Sequence, residues 1–159
     1  MSLLLALLRG RPRCWQPAVT TTDRLLTLAE VRSEVTRIMS RVGGPPVYME
    51  PHYGQSDQDG SSHIEIDDRY HYVTCERGRE LSRRSTPELD TLLYWIARDV
   101  SWSVASHVTT HKGGQDRRRT AFRYWVNSIA RLDAGWAKRV EAEQADILRE
   151  HPFVDDPVG

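Results

Sequence analysis

The chain has 159 residues, 28 % of them charged, and its 22 Lys and Arg balance its 22 Asp and Glu. That length suits one hydrophobic core, and a net charge of zero by itself gives no hint of nucleic-acid or membrane binding. Two cysteines, Cys14 and Cys75, exclude a disulfide framework and read as reduced thiols, and the longest apolar run falls far short of a membrane span.

Charge is unevenly distributed. Arg9, Arg11 and Arg13 precede the first acid, leaving 19 basic residues against 22 acidic from residue 23 onward. The stretch from Glu50 to Arg69 holds six acids and one arginine, and beyond Glu76 the balance reverses, with Arg117-Arg118-Arg119 the densest basic run. A dipolar surface of this kind steers a charged protein as readily as a phosphate backbone.

Residues 1–22 carry "MSLLLALL", with no basic residue before the leucines and at the short end for a signal peptide, then the turn-rich "RPRCWQPAVTTT". They read as a ragged amino-terminal segment rather than an export signal, which places the chain in the cytoplasm. A single domain is expected over residues 23–159. Thr22 or Asp23 is positioned to cap a first helix carrying Leu25, Leu28, Ala29, Val35, Ile38 and Val42 at helical spacing, and Gly43-Gly44-Pro45-Pro46 stops it.

The period then shortens. "VYMEPHY" (Val47 to Tyr53), "HIEID" (His63 to Asp67) and "YHYVTCE" (Tyr70 to Glu76) predict three strands, with "GQSDQDGSS" a polar loop and Asp67-Asp68-Arg69 a tight hairpin turn. A small antiparallel sheet follows. "ERGRELSRR" reads as a basic turn with Gly78 at its tight position. Thr86, Pro87 and Glu88 then start a helix with a stripe of Leu89, Leu92, Leu93, Ile96 and Val100. "SWSVASHVTTH" either continues that helix or begins another. Asp116 to Glu150 places Phe122, Trp125, Ile129, Leu132, Trp136, Val140 and Ile147 on one long stripe, with a bend at Asp133 to Gly135 and Phe153 tucked back beyond Pro152. Helix, small sheet, then helices is α+β: a small antiparallel sheet packed with helices and ending in a long C-terminal helix.

Catalytic constellations are weak. His107 and His111 are four apart but lack the glutamate of a zinc protease helix; His63, Glu65 and His71 are candidate further ligands, and helix-surface histidines explain the pair more simply. Cys75 has no base implied beside it, and Gly43-Gly44 and Gly113-Gly114 sit in no phosphate-loop pattern. No catalytic residue, metal or cofactor is expected. The arginines admit three readings. Arg117 to Arg119 and the "ERGRELSRR" turn contact phosphates, or pair internally with carboxylates, or meet a protein. Their flanking acids (Glu76, Glu80, Asp116) and the absence of a known nucleic-acid motif disfavour phosphates.

Four features in order carry a resemblance. They are Glu76-Arg77-Gly78, the "T-x-x-x-D-x-L-L-Y-W" of Thr86 to Trp95, the "D-x-R-R-x-x-F" of Asp116 to Phe122, and the closing "I-L-x-x-x-P-F-x-D-D". The string from residue 70 to 156 resembles the bacterial immunity protein 63 family of polymorphic toxin systems, although Tyr124-Trp125 stands where glutamine is common in such families. The resemblance implies a small cytoplasmic protein that binds a cognate toxin domain and blocks it, without saying which toxin chemistry is blocked. On that reading Asp57, Asp59, Asp67 and Asp68 are expected to form an acidic face for a basic toxin, with Tyr53 and Tyr70 as apolar anchors. Arg77, Arg79, Arg118 and Arg119 are expected to be the basic contacts. The alternative is a nucleic-acid-binding module on the basic helical side.

Overall fold

The computed structural model describes residues 24–42, 50–110 and 117–153. In chain order these form α1 (Leu28–Val42), β1 (His52–Tyr53), β2 (Asp59–Ile66), β3 (Tyr70–Glu76), β4 (Arg79–Thr86), α2 (Leu89–Thr110), α3 (Arg117–Ala130) and α4 (Ala134–Glu150). The fold is α+β.

α1 starts later than its expected caps, Thr22 and Asp23, which lie outside the described residues. The cap in use is Thr27. Its hydroxyl accepts from Glu30 N (3.3 Å), and the Glu30 carboxylate takes Thr27 N–H back at 2.8 Å. This reciprocal box satisfies two amides that the first turn leaves unbonded. Val31, Val35, Ile38 and Val42 form the buried stripe. The helix ends at Val42, and the Gly-Gly-Pro-Pro stop lies outside the described residues.

The sheet has four strands in the order β1-β2-β3-β4, and it is mixed rather than wholly antiparallel. β1 runs parallel to β2, with His52 beside His63 and Tyr53 beside Ile64. Only His52 and Tyr53 of the expected first strand are strand among the described residues, since the chain turns back at Gly54, whose N–H donates to Ile64 O at 2.8 Å. β2 reaches back through Asp59 to Ser62, residues expected in a loop. The Ser62 and Thr74 hydroxyls bond across the ladder at 3.0 Å, so polar residues pair here without an apolar pattern. The hairpin at 67–69 forms as expected, with Asp67 N–H donating to Arg69 O.

β4 is the largest departure. Most of the expected basic turn "ERGRELSRR" is strand: Arg79–Thr86 forms an eight-residue strand antiparallel to β3. Its one large apolar residue, Leu81, points to solvent, so no alternation marks it. Carboxylates and aromatic rings supply what apolar burial does not. Arg83 bonds Glu65 and Glu80, and Arg84 bonds Asp99 at 2.9 Å while stacking over Tyr72 and Trp95.

Thr86 caps α2 as expected, its hydroxyl accepting from Glu88 N at 3.1 Å. α2 then continues through Ser101 and His107 to Thr110 without a break. It packs on β3 and β4 on one side and on α1 and α3 on others, and its buried residues run around most of its circumference. A helix buried on several sides loses the one-sided stripe. The bend expected at Asp133 is a full break. Its carboxylate accepts Trp136 N–H at 2.8 Å and caps α4, dividing the long stripe into α3 and the 17-residue C-terminal helix. One contiguous core joins Ile64, Tyr70 and Tyr72 of the sheet to all four helices.

Candidate functional site

Two loops meet at one end of the sheet. The β3–β4 hairpin turns through Arg77 and Gly78, both with positive φ (49° and 78°), between the paired residues Glu76 and Arg79. Two successive left-handed residues match the twist of the strands, and glycine takes the second without a Cβ penalty. The loop from β1 to β2 reaches this tip through Gln58. Its Oε1 accepts Gly78 N–H at 2.7 Å and its carbonyl accepts Arg77 N–H at 3.0 Å. Gln58 itself sits at φ 57°, strained for a side chain with a Cβ.

This clasp gathers exposed charge on rigid backbone. The Arg77 side chain is 90 % exposed and reaches Glu76 only at 3.7 Å. Arg79 is exposed on the adjoining strand. Asp59 accepts from Ser61 N (2.9 Å) and Ser61 Oγ (2.5 Å), bonds that hold its carboxyl below the ordinary range. Asp57 lies 3.3 Å from the His52 ring. Beside them a hollow of about 410 Å³ opens between Arg32, Glu50, His52, Tyr53 and Asp57. Tyr53 is half-buried, donates to Glu50 at 3.2 Å and carries Arg32 over its ring at 4.5 Å. Burial first, then the charge of Glu50, pushes its phenol up from the usual value.

The other expected site residues lie elsewhere. Asp67 and Asp68 occupy the opposite end of β2 from Asp59, roughly 25 Å away at about 3.3 Å per residue, so the four aspartates do not make one face. Asp67 bonds the His71 imidazole at 2.8 Å, which holds that carboxyl well below its usual range, and Asp68 pairs with Arg69 at 3.0 Å. Tyr70 is 2 % exposed and its hydroxyl accepts Leu26 N–H at 2.8 Å; it is a core residue with almost no surface to offer a partner. Arg118 and Arg119 are far along the chain on α3. Both stack on Phe153, at 5.1 and 4.3 Å, and Arg118 also donates to Pro152 O at 2.6 Å. Phe153 packs edge-on to Phe122 as anticipated.

The histidines do not assemble as a zinc set. His63, Glu65 and His71 share the sheet face turned away from α2, the helix that carries His107; His111 is outside the described residues. His63 and Glu65 bond each other at 2.9 Å. Ligand-type atoms of Asp67, Asp68 and His71 lie within 4.8 Å of one another, but both His71 nitrogens are already engaged, with Asp67 and with Ser85 Oγ. They staple the hairpin to β4.

Sequence reasoning missed Gln58, Leu81 and the Arg32–Glu50 rim of the hollow. A lone leucine in a polar segment was the visible signal for Leu81. Nothing local marks Gln58, because its role is a contact across 20 residues.

Of the motif residues that carry the resemblance, those on α2 pack in and against the core, while Arg77 and Gly78 lie on the exposed hairpin tip. Asp90 accepts the Trp136 indole N–H at 3.3 Å, Leu92 and Leu93 are buried, Tyr94 lies under Arg139, and Trp95 under Arg84. A mixed sheet on a helical layer, with charged loops clasped at one end, describes a small α+β protein. The chain belongs to the immunity protein 63 family, whose profile matches residues 67–146. It is a toxin-neutralising immunity protein of a bacterial polymorphic toxin system, a protein-binding partner of a cognate toxin and not an enzyme. No curated protein and no solved structure matches the chain. Tyr53, Asp57 and Asp59 precede the matched segment, whereas Arg77 and Arg79 fall within it. Among the described residues no helix is long and apolar enough to cross a membrane.

Proposed function

We propose that the protein neutralises its toxin in the cytoplasm by direct occlusion, seating the clasped end of its sheet against the toxin's substrate groove. The observation that carries this reading is the Gln58 clasp, which holds Asp57, Asp59, Arg77 and Arg79 together on fixed backbone. Rigid, exposed, mixed charge speeds encounter and fixes register at low ordering cost. Tyr53, beside the hollow, supplies an amphipathic anchor of the kind that concentrates binding energy. For a toxin acting on nucleic acid the groove is basic, and Asp57 and Asp59 take the place of phosphates. The nucleic-acid alternative loses its main support, since Arg118 and Arg119 are occupied with Phe153 and Pro152.

Co-expression with the toxin domain encoded beside this gene tests the reading. Growth should be restored, the purified pair should co-elute, and the bound toxin should no longer bind its substrate. A protected, co-eluting toxin that still engages substrate would exclude occlusion.

A further inference from the structure

The sheet has two unequal edges. β1, at one side, is two residues long. β4, at the other, is eight residues long, and among the described residues no strand pairs with its outer side. Every second residue of a strand turns its N–H and C=O away from its neighbour, so β4 presents a row of backbone groups without partners in the described ladders. Such an edge is a template for another strand. Leu81, 51 % exposed, is the one large apolar side chain exposed among the described residues, and it lies on this edge. It stands at a bulge: Thr74 pairs with Ser82 and Cys75 with Glu80, leaving Leu81 without an opposite number on β3. From Ser82 to Thr86 the register is regular.

Charge selects the occupant. β4 carries Arg79, Arg83 and Arg84 against Glu80. Arg83 is taken by Glu65 and Glu80, and Arg84 by Asp99. Arg79 makes no ion pair among the described residues, and Arg77 beside it has only a long contact with Glu76. A second copy of this chain laid on β4 would add a second Arg79 without an ion pair to an edge that already has one such arginine, which is repulsive. The same edge attracts an acidic one. Repelling self-pairing while attracting one partner is how an exposed edge gains specificity.

We propose that β4 is the docking edge for the toxin. An extended toxin segment, acidic where it passes Arg77 and Arg79 and apolar where it meets Leu81, adds to the sheet as its fifth strand. This rests on the occlusion reading and names the part of the surface that grips. Arg77 and Arg79 belong to both the clasped end and the edge, so the two surfaces are continuous.

Hydrogen exchange on the complex with an inactive form of the neighbouring gene's toxin domain tests the assignment. The outward amides of residues 79–86 should exchange at least about tenfold more slowly in the complex. The double variant Arg79→Glu/Leu81→Glu should bind at least about tenfold more weakly. Binding with unchanged β4 exchange and an unaffected double variant overturns the docking edge and leaves occlusion standing. No binding by the native protein overturns both. Protection of β4 in the isolated protein that grows with concentration, together with a dimer on gel filtration, gives the edge to a second copy and overturns the proposal.

Discussion

Gln58 holds Gly78: its side-chain oxygen accepts the Gly78 amide at 2.7 Å, while its own carbonyl takes Arg77 N–H at 3.0 Å. One residue thereby fixes the tip of a hairpin it does not belong to. Gln58→Ala removes the side-chain bond and keeps the backbone one. The expected cost is about 1 kcal/mol, the net value of one hydrogen bond. Amide exchange at Gly78 should rise and toxin association should slow. Unchanged exchange there would show that the clasp does not restrain the tip.

The two aspartate pairs, separated by the length of β2, are expected to differ. Asp57→Lys/Asp59→Lys should slow association with a nucleic-acid-acting toxin by roughly tenfold at low salt, with a smaller effect at high salt. Asp67→Lys/Asp68→Lys should leave the rate near wild type and lower stability instead, because Asp67 holds His71. Stopped-flow binding at two ionic strengths reads both. Equal slowing by the two pairs would mean the whole length of the sheet meets the toxin.

Arg98 ties α2 to α4 through Glu143 and also bonds Asp99, and its guanidinium is held above its ordinary range chiefly by the hydrogen bond with Glu143. Arg98→Met takes the guanidinium from Glu143 and leaves Asp99 with Arg84 alone. The loss should be about 2 kcal/mol, less than for a fully buried pair, because the Arg98 and Glu143 side chains remain 28 % and 29 % exposed. Urea unfolding should show a lower midpoint at an unchanged slope.

Acid should loosen α1 through its cap. Hydrogen bonds from Arg24, then from Thr27, lower the Glu30 carboxyl from 4.5 to about 2. A depressed folded value means the support is complete above 4.5 and is lost as pH falls through about 2. Glu30→Gln should therefore be less stable than wild type at neutral pH, with the gap narrowing between those limits. Thermal melts at stepped pH measure it, and a gap constant with pH would exclude the ionised cap.

The triple variant Arg117→Ala/Arg118→Ala/Arg119→Ala should release Phe153 from Phe122. Losing the ring stacking and the Pro152 bond costs about 1 kcal/mol, or about 2–4 °C in Tm. Duplex and single-stranded probes at low and physiological salt should bind neither form. Salt-steep micromolar binding lost in the triple variant would restore the nucleic-acid reading.

Local chemistry determined much of this protein from sequence alone. The aromatic, β-branched run at Tyr70 to Glu76 makes a strand, Thr86 caps α2, Gly78 turns a hairpin, and the stripe from Phe122 to Val140 makes helix. The family string was legible for the same reason, since Leu92, Leu93 and Tyr94 fill a core by type and spacing and Asp90 accepts the Trp136 indole N–H beside them. Tertiary structure decided what depends on partners distant in sequence. β4 exists because Glu65, Asp99, Tyr72 and Trp95 wait for its arginines, so a polar segment with no strand pattern becomes one. Tyr70 is core because Leu26 and the helices close over it, and Arg118 and Arg119 are occupied because Phe153 folds back onto them. The candidate surface belongs to the same class. Asp57, Asp59, Arg77 and Arg79 are separate polar residues in the chain, and the pairing of β2 with β3 and the Gln58 bonds bring them to one end of the sheet.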